Sequence, residues 1–287
     1  MSKIKVSELF YSIQGEGRYS GVPSVFLRTF GCNFTCSSFG LPRGVISQER
    51  FDVADRDKVV PFQSYHDLPL VTTGCDSYAS WMPEFKHLSP VLDIDAIVDG
   101  IMGVLPFNSW KDEHLVITGG EPLLGWQRSY PDLLEHERMR DLKELTFETN
   151  GTQALSSELK AYLRTWNQAR FPHAEGEITF SVSPKLSCSG ESRKDAIQPD
   201  VVAEYEDYGY TYLKFVVSNT YDVEEALEVT RIYRSVGFGG PVYLMPVGGV
   251  ESVYSMNNRR VAELAMKHGL RYSDRLQVLL FKNAWGT

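Results

Sequence analysis

Three of the four cysteines in this 287-residue chain stand among residues that can do chemistry. Cys32 and Cys36 lie in FGCNFTC, and Cys75 lies in TTGCDSYASW. Thiolate sulfur suits an iron–sulfur cluster, which four cysteines would close. Three thiolates leave one iron open to a substrate or cofactor, as a catalytic zinc keeps one position open. Zinc on the same thiolates is the alternative, since no residue type excludes it. Cys188, the fourth cysteine, is remote in sequence and reads as a small buried hydrophobe or a loop residue. Cys75 must return to the pair after residues 37–74, and closure entropy grows slowly enough with loop length to permit it.

Composition bounds the partners. The formal net charge is −8, which disfavours direct nucleic-acid binding. No run of 18 apolar residues occurs, so no membrane span is expected. The first residues, MSKIKVSELF, lack the apolar core of an export signal. A reducing, cytoplasmic compartment follows as the expectation. Clustered cysteines there bind metal or do chemistry more often than they form disulfides.

The elements that must position the cysteines are strands alternating with helices. Residues 25–30 read as a buried strand. Residues 93–105 read as a helix capped by Asp93, because Ile94, Ile97, Val98, Ile101, Met102 and Leu105 fall on one face. Further strands are expected over 114–118, 145–149, 178–182, 212–217, 242–245 and 276–281. Helices are expected from Asp222, with Glu225 completing a capping box, and over 257–268. This order implies a mostly parallel α/β sheet with its polar and glycine-rich motifs at the carboxyl ends of the strands. Residues 37–74, rich in Gly, Pro, Arg and Asp, break the pattern and are expected to hold at most short elements.

The run ELFYSIQGEGRYSGVPSVFLRTFGCNFTC resembles the start of 7-carboxy-7-deazaguanine synthases, radical S-adenosylmethionine enzymes of deazapurine biosynthesis. In that family a third cysteine follows closely on the second, with Asp-Thr and a nearby Tyr-Ala-Trp behind it. Here the text after Cys36 is Ser-Ser-Phe, and it resumes at Cys75-Asp76-Ser77-Tyr78-Ala79-Ser80-Trp81. An insertion at 37–74 therefore displaces the third ligand. The likeness continues through TGGEP (Thr118–Pro122), ETNGT (Glu148–Thr152), SVSPK (Ser181–Lys185) and the ending RLQVLLFKNAWGT. It implies an open, partial TIM-like barrel of the radical S-adenosylmethionine type, one domain over 1–287.

The resemblance also implies roles. Cys32, Cys36 and Cys75 would hold a 4Fe-4S cluster whose open iron chelates S-adenosylmethionine. Gly74, Asp76, Gly120, Glu121, Thr149, Asn150, Ser181, Ser183 and Lys185 would contact that cofactor, with the glycines of Gly119-Gly120 letting backbone approach the ligand. Ser77 stands where the family binds Mg²⁺ through a threonine. Ile13, Gln14, Glu16 and Thr118 would hold a pterin substrate, and Arg28 its carboxylate. The alternatives are a polar turn for QGEG and a structural ion pair for Arg28, with Glu16 as a candidate partner in the empty site. Met245–Gly248 would close over the adenosine. A flavodoxin-like electron donor, docking on the insertion, and a homodimer are expected partners. Two competing readings are a radical activase acting on a protein and a non-catalytic regulatory homologue.

Overall fold

A computed structural model describes residues 2–170 and 177–287. Among the described residues nine strands form one sheet: β1 (Lys3–Ile13), β2 (Pro23–Thr29), β3 (Val91–Asp93), β4 (His114–Gly119), β5 (Glu144–Thr149), β6 (Glu177–Val182), β7 (Tyr210–Val217), β8 (Val242–Pro246) and β9 (Arg271–Tyr272). Their order is β3-β1-β2-β4-β5-β6-β7-β8-β9. β1 runs antiparallel to β2 and β3, and every pairing from β2 to β9 is parallel. β3 and β9 are free edges, so the sheet curls without closing. The helices are α1 (Glu49–Val59), α2 (Ile94–Val104), α3 (Tyr130–Glu135), α4 (Ser157–Arg170), α5 (Arg193–Ala196), α6 (Pro199–Tyr205), α7 (Thr220–Ser235), α8 (Glu251–Lys267) and α9 (Leu276–Phe281).

Side chains alternate across a strand, and this sorts the sheet into two faces. Val25, Leu27, Leu115, Ile117, Leu145, Phe147, Ile178, Phe180, Leu213 and Phe215 point to one face. There they pack on Ile97, Val98 and Ile101 of α2, Leu159 of α4 and Val223 of α7 in the principal core. Their neighbours point to the other face, where Phe10, Phe26 and Val116 make a small apolar floor among polar side chains. A second core joins Val53 and Ala54 of α1 to Tyr65, Leu68, Val71, Tyr78 and Phe85, with Trp285 packed against it. The Trp285 indole N–H donates to the Leu68 carbonyl at 2.6 Å, which ties the C-terminal segment to the insertion.

Several expected elements change. Residues 276–281 form helix α9 and not a strand, because the sheet already ends at β9 and α9 buries only Val278. α8 begins at Glu251, ahead of residue 257, because buried Tyr254 belongs to the same stripe as Val261 and Ala265. Asn219, not Asp222, caps α7, accepting from the Asp222 N–H at 3.1 Å. Asp222 instead accepts from the Ser218 N–H at 2.9 Å, and the side chain of Glu225, within α7, accepts from the Ser187 N–H at 2.9 Å. The insertion holds a three-turn helix, α1. Its buried stripe is Arg50, Val53 and Ala54, and the arginine in that stripe hid the helical period. The helix at 94–104 matches expectation, with Asp93 accepting from the Ala96 N–H at 2.9 Å.

Candidate active site

The polar face of the sheet lines a cavity of about 250 Å³. Strand register sets its wall. Glu8 pairs with Arg28, Arg28 with Thr118, Glu148 with Ser181, and Ser181 with Tyr212. Thr118 closes the gap in that row by donating to Glu148 at 3.0 Å. Arg28 donates to Glu8 at 2.8 Å and stands 3.4 Å from Ser77 Oγ. The alternative Glu16–Arg28 pair is not formed, because Glu8 is the cross-strand neighbour of Arg28 and takes that place. Burial opposes the Arg28 charge, but Glu8 beside it holds the guanidinium protonated. The second Glu8 oxygen is buried without a hydrogen-bond partner.

Not every motif lies at the carboxyl ends of the strands. β1 is antiparallel, so the segment after it emerges beside Pro23, at the amino end of β2. It then crosses the amino ends of the parallel strands: the Tyr19 ring packs tilted against His114, with centroids 4.3 Å apart, and Arg18 pairs with Glu177 and lies 4.0 Å over Tyr210. Gln14 and Glu16 thus enter the cavity from below. Gln14 donates to Glu148 at 3.1 Å. Glu16 accepts from Lys214 at 2.5 Å, from Arg275 at 3.0 Å and from Gln277 at 2.8 Å. Burial works against this carboxylate, yet Lys214 and Arg275 hold its pKa down at about 2.

The cysteines enter from the opposite end. Cys32 and Cys36 follow β2, and all three thiols line the cavity beside Phe34, Phe39 and Ala196. Glu191 fixes the first loop, accepting from the Thr35 N–H at 2.8 Å and the Cys36 N–H at 2.6 Å. Cys32 Sγ accepts from the Phe34 N–H, and Cys75 Sγ from the Trp81 indole, each at 3.4 Å. Burial pushes all three thiols up, Cys32 to about 12, so metal loading must expel their protons. Among the described residues no three His, Cys, Asp or Glu side chains converge to hold a single metal ion. Cys188 lies elsewhere, 3.5 Å from the Val216 carbonyl.

The paired glycines Gly119 and Gly120 serve packing. A Cβ on Gly119 would sit 2.3 Å from the Thr29 carbonyl, and one on Gly120 would sit 2.4 Å from the Gly31 carbonyl and 2.7 Å from Cys32 Cβ. Their smallness lets the cysteine loop lie on the end of β4. Replacement of Gly120 by alanine is expected to lift that loop, costing about 1–3 kcal/mol and most of the bound iron. Denaturant unfolding and iron counting check this.

Glu121 faces away from the cavity. It is fully buried, accepting from Thr149 Oγ1 at 2.8 Å, from the Asn150 N–H at 2.6 Å and from the Leu123 N–H at 3.0 Å. It holds Thr149 and Asn150, which do line the cavity with Ser181, Ser183, Lys185, Gly74, Asp76, Ile13, Met245 and Gly248. Lys185 donates to Ser183 at 3.2 Å. Ser77 Oγ lies 3.4 Å from Asp76 Oδ1, which places two hard oxygen donors side by side. Sequence reasoning missed Glu8, Lys214, Arg275 and Gln277. Only the alternation of β1 and β7 carried a signal for the first two.

The site thus consists of three thiols beside the carboxyl ends of an open, mostly parallel α/β sheet. No family model matches the chain. It is 32% identical over 304 residues to the 7-carboxy-7-deazaguanine synthase of Halobacterium salinarum, across 98% of this chain and 91% of that one. Identity to the enzyme of the same name from Pyrobaculum aerophilum is 27% over 289 residues, across 99% and 97% of the two chains. The crystal structure of QueE from Escherichia coli shares the fold, with a TM-score of 0.53 and 19% identity over 94% of this chain and 93% of that one. The chain belongs to the 7-carboxy-7-deazaguanine synthase family.

Proposed function

We propose that this enzyme converts 6-carboxy-5,6,7,8-tetrahydropterin to 7-carboxy-7-deazaguanine with release of ammonia, as one domain interrupted by the 37–74 insertion. One observation carries the reading: a single cavity is lined by three thiols entering from one end and by Gln14, Glu16 and Arg28 from the other end and the wall. The donors fit the expected groups. Three soft thiols in an apolar pocket suit a 4Fe-4S cluster. Ser77 and Asp76 offer oxygen to Mg²⁺. Thr149, Asn150, Ser183 and Lys185 offer hydrogen bonds to S-adenosylmethionine. When bound, the cluster and S-adenosylmethionine supply the radical chemistry.

The chain's own residues bind, orient and exclude water. Arg28 is held charged by Glu8 and presents its remaining N–H groups to a substrate carboxylate. Glu148, fixed by Gln14 and Thr118, and Glu16, fixed by two cations, offer acceptors to the pterin's amino and amide N–H groups. Phe10 and Phe26, stacked at 4.9 Å, give a flat heterocycle an apolar wall. Phe39, Trp81 and Trp285 shut out water from the insertion side.

The test is an anaerobic assay with the tetrahydropterin, S-adenosylmethionine, Mg²⁺ and dithionite. One equivalent of ammonia per 7-carboxy-7-deazaguanine by mass spectrometry is the expected result. Formation of 5′-deoxyadenosine without product points to another substrate, and no cleavage at all points to a non-catalytic homologue.

The reading includes a cytoplasmic homodimer and a flavodoxin-like donor. No helix among the described residues is long and apolar enough to cross a membrane. Leu280 on α9 is 57% exposed and offers an apolar face to a second copy. On α1 and just past it, within the insertion, Val59 and Val60 are 82% and 72% exposed. The double variant Val59→Asp, Val60→Asp is expected to slow flavodoxin-driven turnover several-fold and leave dithionite-driven turnover unchanged. Equal effects in the two assays would move donor docking off the insertion.

A further inference from the structure

Arg50 occupies the buried stripe of α1, where a helix packed on a core ordinarily presents an apolar side chain. It is 5% exposed, and its Nε has no hydrogen-bond partner. Among the described residues no carboxylate comes within ion-pair distance of it. Its Nη1 reaches the Thr35 carbonyl at 3.4 Å and lies 3.8 Å from where a side chain on Gly74 would begin. Thr35 and Gly74 immediately precede Cys36 and Cys75. The guanidinium also lies 5.3 Å over the ring of Trp81, whose N–H donates to Cys75 Sγ, and 4.7 Å over Phe51. Arg50 does not line the cavity, so it is no contact for substrate or cofactor.

A buried guanidinium with no anion beside it is unfavourable. Burial pushes its pKa down, while Cys75, Cys36 and Glu191 push it up. The missing anion is supplied when the thiols ionise. We propose that Arg50 is the fixed counter-charge of the thiolate site, carried there by the insertion that separates Cys36 from Cys75, and that it raises the reduction potential of the iron–sulfur cluster held by these cysteines. The inference rests on the cluster assignment made above. A 4Fe-4S core carrying two positive charges, on three thiolates, has a net charge of −1. One electron from dithionite takes it to −2, and dithionite is oxidised. A cation that does not move attracts the second state more strongly, so the electron is accepted at a higher potential. Arg50 acts through the field at the thiolates and is a positioning residue.

The experiment uses the full-length protein with Arg50→Met and Arg50→Lys, reconstituted anaerobically. Iron content, the midpoint potential by paramagnetic-resonance redox titration, and denaturant unfolding of the metal-free proteins are read. All three proteins are expected to hold iron. Arg50→Met shifts the reduction equilibrium about tenfold, which is about 59 mV more negative for one electron, and Arg50→Lys shifts it by less than half of that. Metal-free Arg50→Met unfolds at the same or a higher denaturant concentration than wild type, because an unpaired buried charge has gone. Iron retained by Lys and lost by Met also supports the counter-charge. Equal potentials in wild type and Arg50→Met overturn it. So does iron loss from both variants, or reduced metal-free stability with an unchanged potential, since each makes Arg50 a packing residue on Trp81 and Phe51. Wild type that takes up no iron defeats the cluster assignment itself, a result distinct from equal potentials.

Discussion

Alanine at Cys75 is expected to abolish cluster binding while the protein stays folded. Wild type reconstituted under anaerobic conditions should hold roughly four irons per chain, with a paramagnetic signal after reduction that changes on adding S-adenosylmethionine. The variant should hold none, and turnover should fall by more than about 100-fold, the upper range for losing only an outer-shell partner of a metal. Folding should survive because Cys75 forms no disulfide, and the hydrogen bond its thiol accepts from the Trp81 indole is a long one at 3.4 Å. The control is Cys188→Ala. That thiol faces the Val216 carbonyl and packs against the principal core, so its loss should leave the iron count unchanged. Iron retained in Cys75→Ala, or lost in Cys188→Ala, would mean that the insertion does not carry the third ligand back to the site.

The same residues show what the sequence could and could not reveal. Strands β4 to β8 were legible because both faces are buried and each apolar run ends in a Gly, Asn, Ser or Pro turn. The three cysteines were legible because soft ligands are rare in this chain. α1 was not, because Arg50 interrupts the apolar stripe that would have announced it. α9 was not, because a six-residue segment with five apolar residues fits a strand or a helix equally well. The place of Gln14 and Glu16 depended on the direction of β1. An antiparallel first strand sends the following turn to the amino ends of the parallel strands, and nothing local to that turn records it. Likewise Glu8 was an anonymous charge until register set it opposite Arg28.

Arg275 is the clearest case of a residue visible only in three dimensions, and its loss should be the most damaging to the fold. Its Nε donates to Glu16 at 3.0 Å, its Nη2 to Asp76 at 2.6 Å, and its Nη1 to the Gly248 carbonyl. These partners lie 259, 199 and 27 residues away in sequence. One guanidinium thus joins the turn below the cavity, the segment carrying Cys75, and the loop after β8. Arg275→Met keeps much of the apolar length but leaves the nearly buried Glu16 and the half-buried Asp76 without this partner, and among the described residues Asp76 has no other cation within ion-pair distance. Breaking a buried pair from one side costs about 3–5 kcal/mol, which denaturant unfolding of the metal-free protein should show at neutral pH. The pH dependence separates charge from packing. In wild type, burial raises and the adjacent cations more than offset it, so the pKa of Glu16 falls from 4.5 to about 2 and that of Asp76 also falls. Carboxylates depressed in the folded state stabilise it fully above their unfolded values, and that contribution is lost as pH falls from about 4.5 towards 2. In Arg275→Met the folded-state pKa values rise, and protonation on acidification relieves the buried charge. The stability gap between wild type and variant should therefore be widest near neutrality and narrow steadily below pH 4.5. A gap that stays constant with pH would make Arg275 a packing residue, and would leave Glu16 dependent on Lys214 and Gln277 for its place in the cavity.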